Sequence, residues 1–460
     1  MSDSSERNNQ PIKSPYFKEL DGIRAFAIIT VIINHFNKNL MPSGYLGVDI
    51  FFVISGFVIT SSLHHRSSKN LMEFIRGFYS RRFKRLMPAL ILFVLIISIL
   101  VCLFNPYPTV ALKTGLTSLF GISNLYLLKQ STDYFSQSTQ LNVFTHTWSL
   151  GVEEQFYLMF PFLVWFTGFG RQTKKGSRNL FLSVGVLTIS SIIGFIYLYP
   201  KNQAAAYFLM PTRFWEMASG CLLFLLFLKS KSIKNLLKKI PPLLLLILII
   251  GVMYLPKSLA TLSTITVVAL TCILIASLNK RSLTYKIFTY PKVIYIGRIS
   301  YSLYLWHWAI LSLSRWTIGI HWWSVPFQLL LIISLAIASF EWIETPLRNR
   351  IWFNSRWKVL LINGGLLTIV SLIIFTFPNS TSSSVIYEFT CGNPSLSIYS
   401  QFANLNFIGV PLLTISIGFL NITFSLSFLL TLSSFINDLN FVILNIPLSI
   451  EDLLTIIESS

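Results

Sequence analysis

The chain is 460 residues long, 53% hydrophobic, 15% aromatic and only 12% charged, with a mean hydropathy of +0.65. That composition excludes an ordinary soluble domain and describes a chain that crosses a membrane repeatedly. The formal charge of +19 would suit a nucleic-acid binder only as a basic face on a soluble domain; here Lys and Arg fall in clusters between apolar spans, which argues for a lipid bilayer as partner and against nucleic acid.

Residues 1–15 are polar and read as a disordered cytoplasmic N-terminus, without the apolar core and small-residue cleavage site of a signal peptide. The first span, 22–38, carries ionisable groups that a membrane helix normally excludes: Asp21 and Arg24 at its start and His35 near its end. Ten residues separate Arg24 from His35. An eleven-residue step returns to within about 20° of the same helix face and climbs roughly 16 Å, so one polar stripe runs along the helix. The plain alternative is that Arg24 snorkels to the headgroups and His35 is wetted at the far interface. The next segment, GYLGVDIFFVISGF, holds Gly44, Gly47, Ser55 and Gly56, small residues that allow close helix approach in lipid.

Spans are expected at 22–38, 44–63, 87–105, 148–168, 180–199, 213–229, 242–257, 259–278, 293–314, 325–344 and 359–377. With the N-terminus in the cytoplasm, 28 of the 36 Lys and Arg fall on that side and seven on the other, as the positive-inside rule requires. The rule also decides the segment 109–128. Its Lys113, Gly115, Gly121 and Asn124 make it a poor span, and counting it would export every later basic loop, so it is expected to be re-entrant or interfacial.

After the second span, Arg81-Arg82-Phe83-Lys84-Arg85 precedes Pro88 and an apolar run. One reading is an anchor on anionic lipid. The other is phosphate capture, because Arg82 and Arg85 at an i, i+3 spacing face the same way and each guanidinium can grip phosphate oxygens bidentately. The fourth span opens with FTHTWSLGVEEQFYLMFP. Glu153 and Glu154 point about 100° apart on a helix, so one of them is expected to face the His35 stripe and orient the imidazole. The alternative is an interfacial pair anchored by Trp148 and Tyr157, and His146 is expected at the outer mouth of the cavity. Arg213 and Glu216 suit an intrahelical pair. His307, between two tryptophans, reads as a belt residue or an acceptor-side contact. Three of the four cysteines, Cys102, Cys221 and Cys272, lie in apolar spans, so neither a disulfide framework nor a metal site is expected.

Three motifs, LDGIR with His35, the LGVDIFFVISGF block and THTWSLGVEEQFYL, resemble in order those of the membrane acyltransferase 3 family, over residues 16–350. The resemblance implies an all-α, polytopic transmembrane helical bundle of about ten core helices, with residues 357–378 as an eleventh, linking helix. It implies transfer of an acyl group, commonly acetyl, from cytoplasmic acyl-CoA to a hydroxyl of a surface carbohydrate, with no prosthetic group. In that family the helix with Arg-x10-His is the catalytic one, and an Arg-x-x-Arg matched by Arg82 and Arg85 binds the nucleotide end of the donor. His35 and the carboxylates Glu153 and Glu154 are then the catalytic candidates. Asp21, Arg24, Arg82, Arg85, His146, Trp148 and His307 are the substrate-binding ones. A histidine with a pKa near 6.5 suits the deprotonation of an acceptor hydroxyl.

Members with an eleventh helix usually continue into an exported esterase-type domain. Residues 379–460 instead lack Lys and Arg and show no Gly-Asp-Ser block, so a truncated or aberrant tail is expected. A proton-coupled transporter, with Arg, His and Glu as a relay, stands as the alternative function; a non-catalytic scaffold would not need His35 within a span.

Overall fold

The computed structural model describes residues 16–349, apart from 67, 69, 106–107 and 132–140, together with 365 and 369–373. The chain divides into Met1–Ser384 and Val385–Ser460, and all described residues belong to the first unit. The linking helix, for the most part, and the tail expected over 379–460 lie outside the described residues.

All regular structure among the described residues is helical. Helix α1, Lys18–Phe36, carries Glu19 and Asp21 in its first turn and His35 in its last, an arrangement that suits the helix dipole. A 3-10 turn, Gly44–Leu46, leads into α2, Gly47–His64. Helix α3, Leu71–Phe104, has 34 residues, hence about 51 Å of length against a hydrocarbon core of about 30 Å. It begins well before the expected span at 87, capped by the Asn70 side chain, which accepts from the Glu73 amide at 2.8 Å. The extra turns bring Arg81–Arg85 onto a continuous helix.

The ambiguous segment 109–128 is two short helices, α4 (Thr109–Leu119) and α5 (Ser123–Ser131). The break falls at Gly121, whose φ of +68° lies in the left-handed region that glycine adopts without steric cost. A side chain there would also collide with the Glu154 carboxylate, 2.3 Å from where a Cβ would stand. A second 3-10 turn, Thr145–Thr147, precedes α6, Trp148–Phe166. Then follow α7 (Gly176–Lys201), α8 (Gln203–Phe208), α9 (Met210–Lys229), α10 (Lys231–Leu237), α11 (Pro242–Met253) and α12 (Ala260–Ser277). The expected span 293–314 is broken as well. Short helices α13 (Leu283–Phe288) and α14 (Pro291–Arg298) are followed, after Ile299, by α15, Ser300–Trp316. Helix α16, Val325–Ala338, passes through a π-helical turn, Ser339–Glu344, into α17, Thr345–Asn349.

Five helices among the described residues are long and apolar enough to cross a membrane by length and hydropathy: Gly44–His64, Leu71–Phe104, Gly176–Lys201, Ala260–Ser277 and Val325–Asn349. Fewer meet that test than the eleven crossings expected. The reason is visible in the others. Helices α1, α6 and α9 have 19 or 20 residues but carry charged groups, and α11 has only 12 residues. The chain is a polytopic helical membrane protein.

Small residues set that packing. A Cβ on Gly56 would stand 1.8 Å from the Met217 carbonyl oxygen, and one on Gly220 would stand 2.0 Å from that of Val53, so α2 and α9 cross with their backbones in contact. Gly44 and Gly47 also lie close against α1, where a Cβ would stand 2.6 Å from the Thr30 carbonyl oxygen and 2.4 Å from that of Ala27. Water-driven collapse does not operate between helices in lipid, so this close packing is what holds them.

Candidate active site

The two ends of α1 gather different chemistry. At its start, Asp21 accepts from the Tyr16 hydroxyl at 2.7 Å and from Arg24 Nη1 at 2.8 Å. Arg24 also lies within electrostatic reach of Arg85. Where the end of α2 meets the start of α3, a cavity of about 210 Å³ is lined by Ser61, Ser62, Arg66, Arg81, Arg82 and Arg85. Arg82 and Arg85 thus open on one cavity, as their spacing predicts. Arg66 and Arg81 join them, which local spacing alone did not single out. Arg82 stacks on the Tyr157 ring at 4.8 Å, an apolar support that leaves its N–H edge for anions.

At the other end, His35 Nδ1 lies 3.0 Å from His307 Nε2, with the rings nearly parallel at 8°. Trp308 packs edge-on against His35 at 4.7 Å. His307 is fully buried, and its Nδ1 faces the carbonyl oxygens of Leu303 and Tyr304 at 3.1 and 2.8 Å. His307 is therefore no interfacial belt residue: α15 is broken from α14 and turns this ring inward. His146 is also buried, not at an open mouth; its ring packs against His307 at 5.8 Å and Tyr304 at 5.4 Å. The Tyr304 hydroxyl holds this turn by donating to the His146 carbonyl at 2.9 Å. Arg315 Nη2 donates to the His35 carbonyl at 3.0 Å, and Asn34 Nδ2 donates to Met41 and Pro42. The end of α1 is thereby fixed by hydrogen bonds on two sides.

The carboxylates of α6 stand elsewhere. Glu153 accepts from the Ser55 hydroxyl at 2.5 Å and lies in the field of Arg82 and Arg85, while Glu154 packs over Gly121. Glu153 is five residues into α6 from Trp148, about 7.5 Å along the axis and displaced toward the arginines. The hydrogen-bond partner of the His35 ring is His307, where the sequence pointed to a carboxylate.

Arg213 belongs to a third cluster. It pairs with Glu216 at 3.0 Å, as its spacing predicts, and also with Asp49 of α2. All three are buried, and Phe52, Trp148, Phe195 and Tyr207 surround the guanidinium. Trp148 is accordingly a wall of this cluster and not an interfacial anchor. Asp49 was passed over in the sequence, although an acidic residue within an apolar helix was its signal. No group of three or more His, Cys, Asp or Glu suited to a metal ion occurs among the described residues.

A family model described as an acyltransferase domain, acyltransferase 3, matches residues 17–343. The chain belongs to the acyltransferase 3 family. Both clusters of α1 lie within the matched segment of this membrane acyltransferase family. The O-acetyltransferase OatA of Staphylococcus aureus strain NCTC 8325 is 32% identical over 365 residues, covering 73% of this chain and 58% of that protein. The putative O-acetyltransferase SACOL0978 of strain COL is 32% identical over 369 residues, with the same coverage. The chain thus spans a little under three-fifths of the length of these curated relatives. No solved structure matches it significantly.

Proposed function

We propose that residues 16–350 transfer an acyl group, acetyl from acetyl-CoA, from the cytoplasmic side to a hydroxyl of a cell-surface carbohydrate such as lipopolysaccharide O-antigen, exopolysaccharide or peptidoglycan. The observation that carries this reading is the pairing of an arginine-lined cavity at one end of α1 with a buried imidazole pair at the other. Arg82 and Arg85 grip the donor phosphates, and Arg24, held by Asp21, borders the path of the acyl-bearing arm. As the acceptor oxygen attacks the thioester carbonyl, the His35 imidazole takes the hydroxyl proton. The C–S bond then breaks and that proton passes to the sulfur, leaving an ester and free CoA. His146 and His307 border the acceptor side, and Glu153 ties α6 to the arginine end through Ser55. The N-terminus is cytoplasmic in this arrangement, so donor and acceptor approach from opposite faces.

The test is the protein in sealed proteoliposomes with radiolabelled acetyl-CoA outside and a carbohydrate acceptor present. Release of free CoA with label in a base-labile ester is expected. Movement of label across the membrane without CoA release would instead support the proton-coupled transporter.

A further inference from the structure

Partners on both sides settle where the protons of the histidine pair reside. His307 Nδ1 faces two carbonyl oxygens of its own helix, those of Leu303 and Tyr304. Carbonyl oxygens only accept, so Nδ1 carries the hydrogen, and in a neutral imidazole the remaining nitrogen, Nε2, is an acceptor. That acceptor lies 3.0 Å from His35 Nδ1. The hydrogen in the bond therefore belongs to His35 Nδ1, and the lone pair of His35 is left on Nε2.

We infer that His307 is a positioning residue that locks His35 in its Nδ1–H tautomer and so presents Nε2 as the base; this rests on the proposal above that His35 takes the acceptor proton. When Nε2 receives that proton, His35 becomes a cation, and its Nδ1–H bond to His307 becomes charge-assisted and stronger. His307 keeps its own hydrogen on the two carbonyls throughout, so no second proton moves. An orienting carboxylate would place a full negative charge beside a neutral ring in an apolar interior, at a high desolvation cost. A neutral imidazole orients the base without that charge. The other polar neighbours leave the role to His307: Arg315 bonds the His35 backbone carbonyl, Glu153 bonds Ser55, and His146 meets the pair through ring packing.

The experiment compares His307→Phe with His307→Gln. A glutamine Oε1 can accept from His35 Nδ1–H, whereas phenylalanine fills the space with no acceptor. Expected for His307→Phe is a fall in kcat of about a hundredfold, the low end of general-base contributions, with KM for acetyl-CoA unchanged. His307→Gln should recover to within about tenfold of wild type. Equal losses in the two variants, or a rise in KM with kcat intact, would overturn the assignment. A second measurement uses unsubstituted protein with ¹⁵N-labelled histidine, its His35 signals assigned by subtraction of the His35→Ala spectrum. Protonated Nδ1 with bare Nε2 on His35 supports the lock, and the reverse tautomer sinks it, even if His307→Phe does not fold. The two readings fail separately. Transfer that survives His35→Ala removes the base, whereas an inactive His35→Ala beside a fully active His307→Phe removes only the lock.

Discussion

At the Arg24 end of α1 permanent cations predominate, and four arginines line a cavity. At the His35 end they are imidazoles closed in by aromatic rings and drawn from three distant stretches of chain. The first arrangement suits binding, because guanidiniums hold phosphate without changing protonation state. The second suits proton transfer, because an imidazole can take and return a proton near neutral pH. In the proposed mechanism one helix thus separates holding the donor from acting on it by about 16 Å of axial rise, and substitutions at its two ends should separate in the same way.

The largest effect is expected for His35→Ala. Loss of a general base removes about 10²–10⁴-fold in rate, so acyl transfer should fall to background while acetyl-CoA binding, measured by titration in nanodiscs, stays near wild type. Retained transfer would move the base elsewhere, with His146 next in line. Arg213→Ala serves as a control of another kind. It would leave Asp49 and Glu216 buried without their cation, at a cost of about 3–5 kcal/mol. Lower folded yield is expected, with donor binding and transfer falling together in whatever protein survives. A selective loss of transfer alone would make this cluster part of the chemistry.

Arg82→Ala tests the opposite end of the comparison. Losing a charge-assisted contact costs about 1.5–3 kcal/mol, roughly ten- to a hundredfold in donor affinity, with the rate at saturating acetyl-CoA largely kept. If affinity holds and the maximal rate falls, the two ends are not separate in function. Arg24→Ala should weaken donor affinity less than Arg82→Ala, because Arg24 is already committed to Asp21. A modest weakening of donor binding with some loss of expression is expected, read by the same titration and by immunoblot. A loss as large as that of Arg82→Ala would place Arg24 directly on the phosphates.

The sequence by itself determined the class, the family and the arginine end. Hydropathy marks a polytopic chain because unpaired backbone groups cannot remain in lipid, and Arg82 with Arg85 is legible because an i, i+3 spacing on one helix needs no other part of the fold. The Arg213–Glu216 pair was legible for the same local reason, whereas the reading of 109–128 needed the distribution of Lys and Arg along the whole chain. Only the tertiary structure decided the partner of His35. His307 lies 272 residues away, on a helix whose break after Arg298 carries no strong sequence signal, and which side chain turns inward depends on how whole helices cross. Those crossings rest on glycine contacts between α2 and α9 and around α1, where the absence of a side chain lets two backbones meet. The same crossings bring Asp49 to Arg213, so a pair that local spacing makes intrahelical becomes a clamp between two helices.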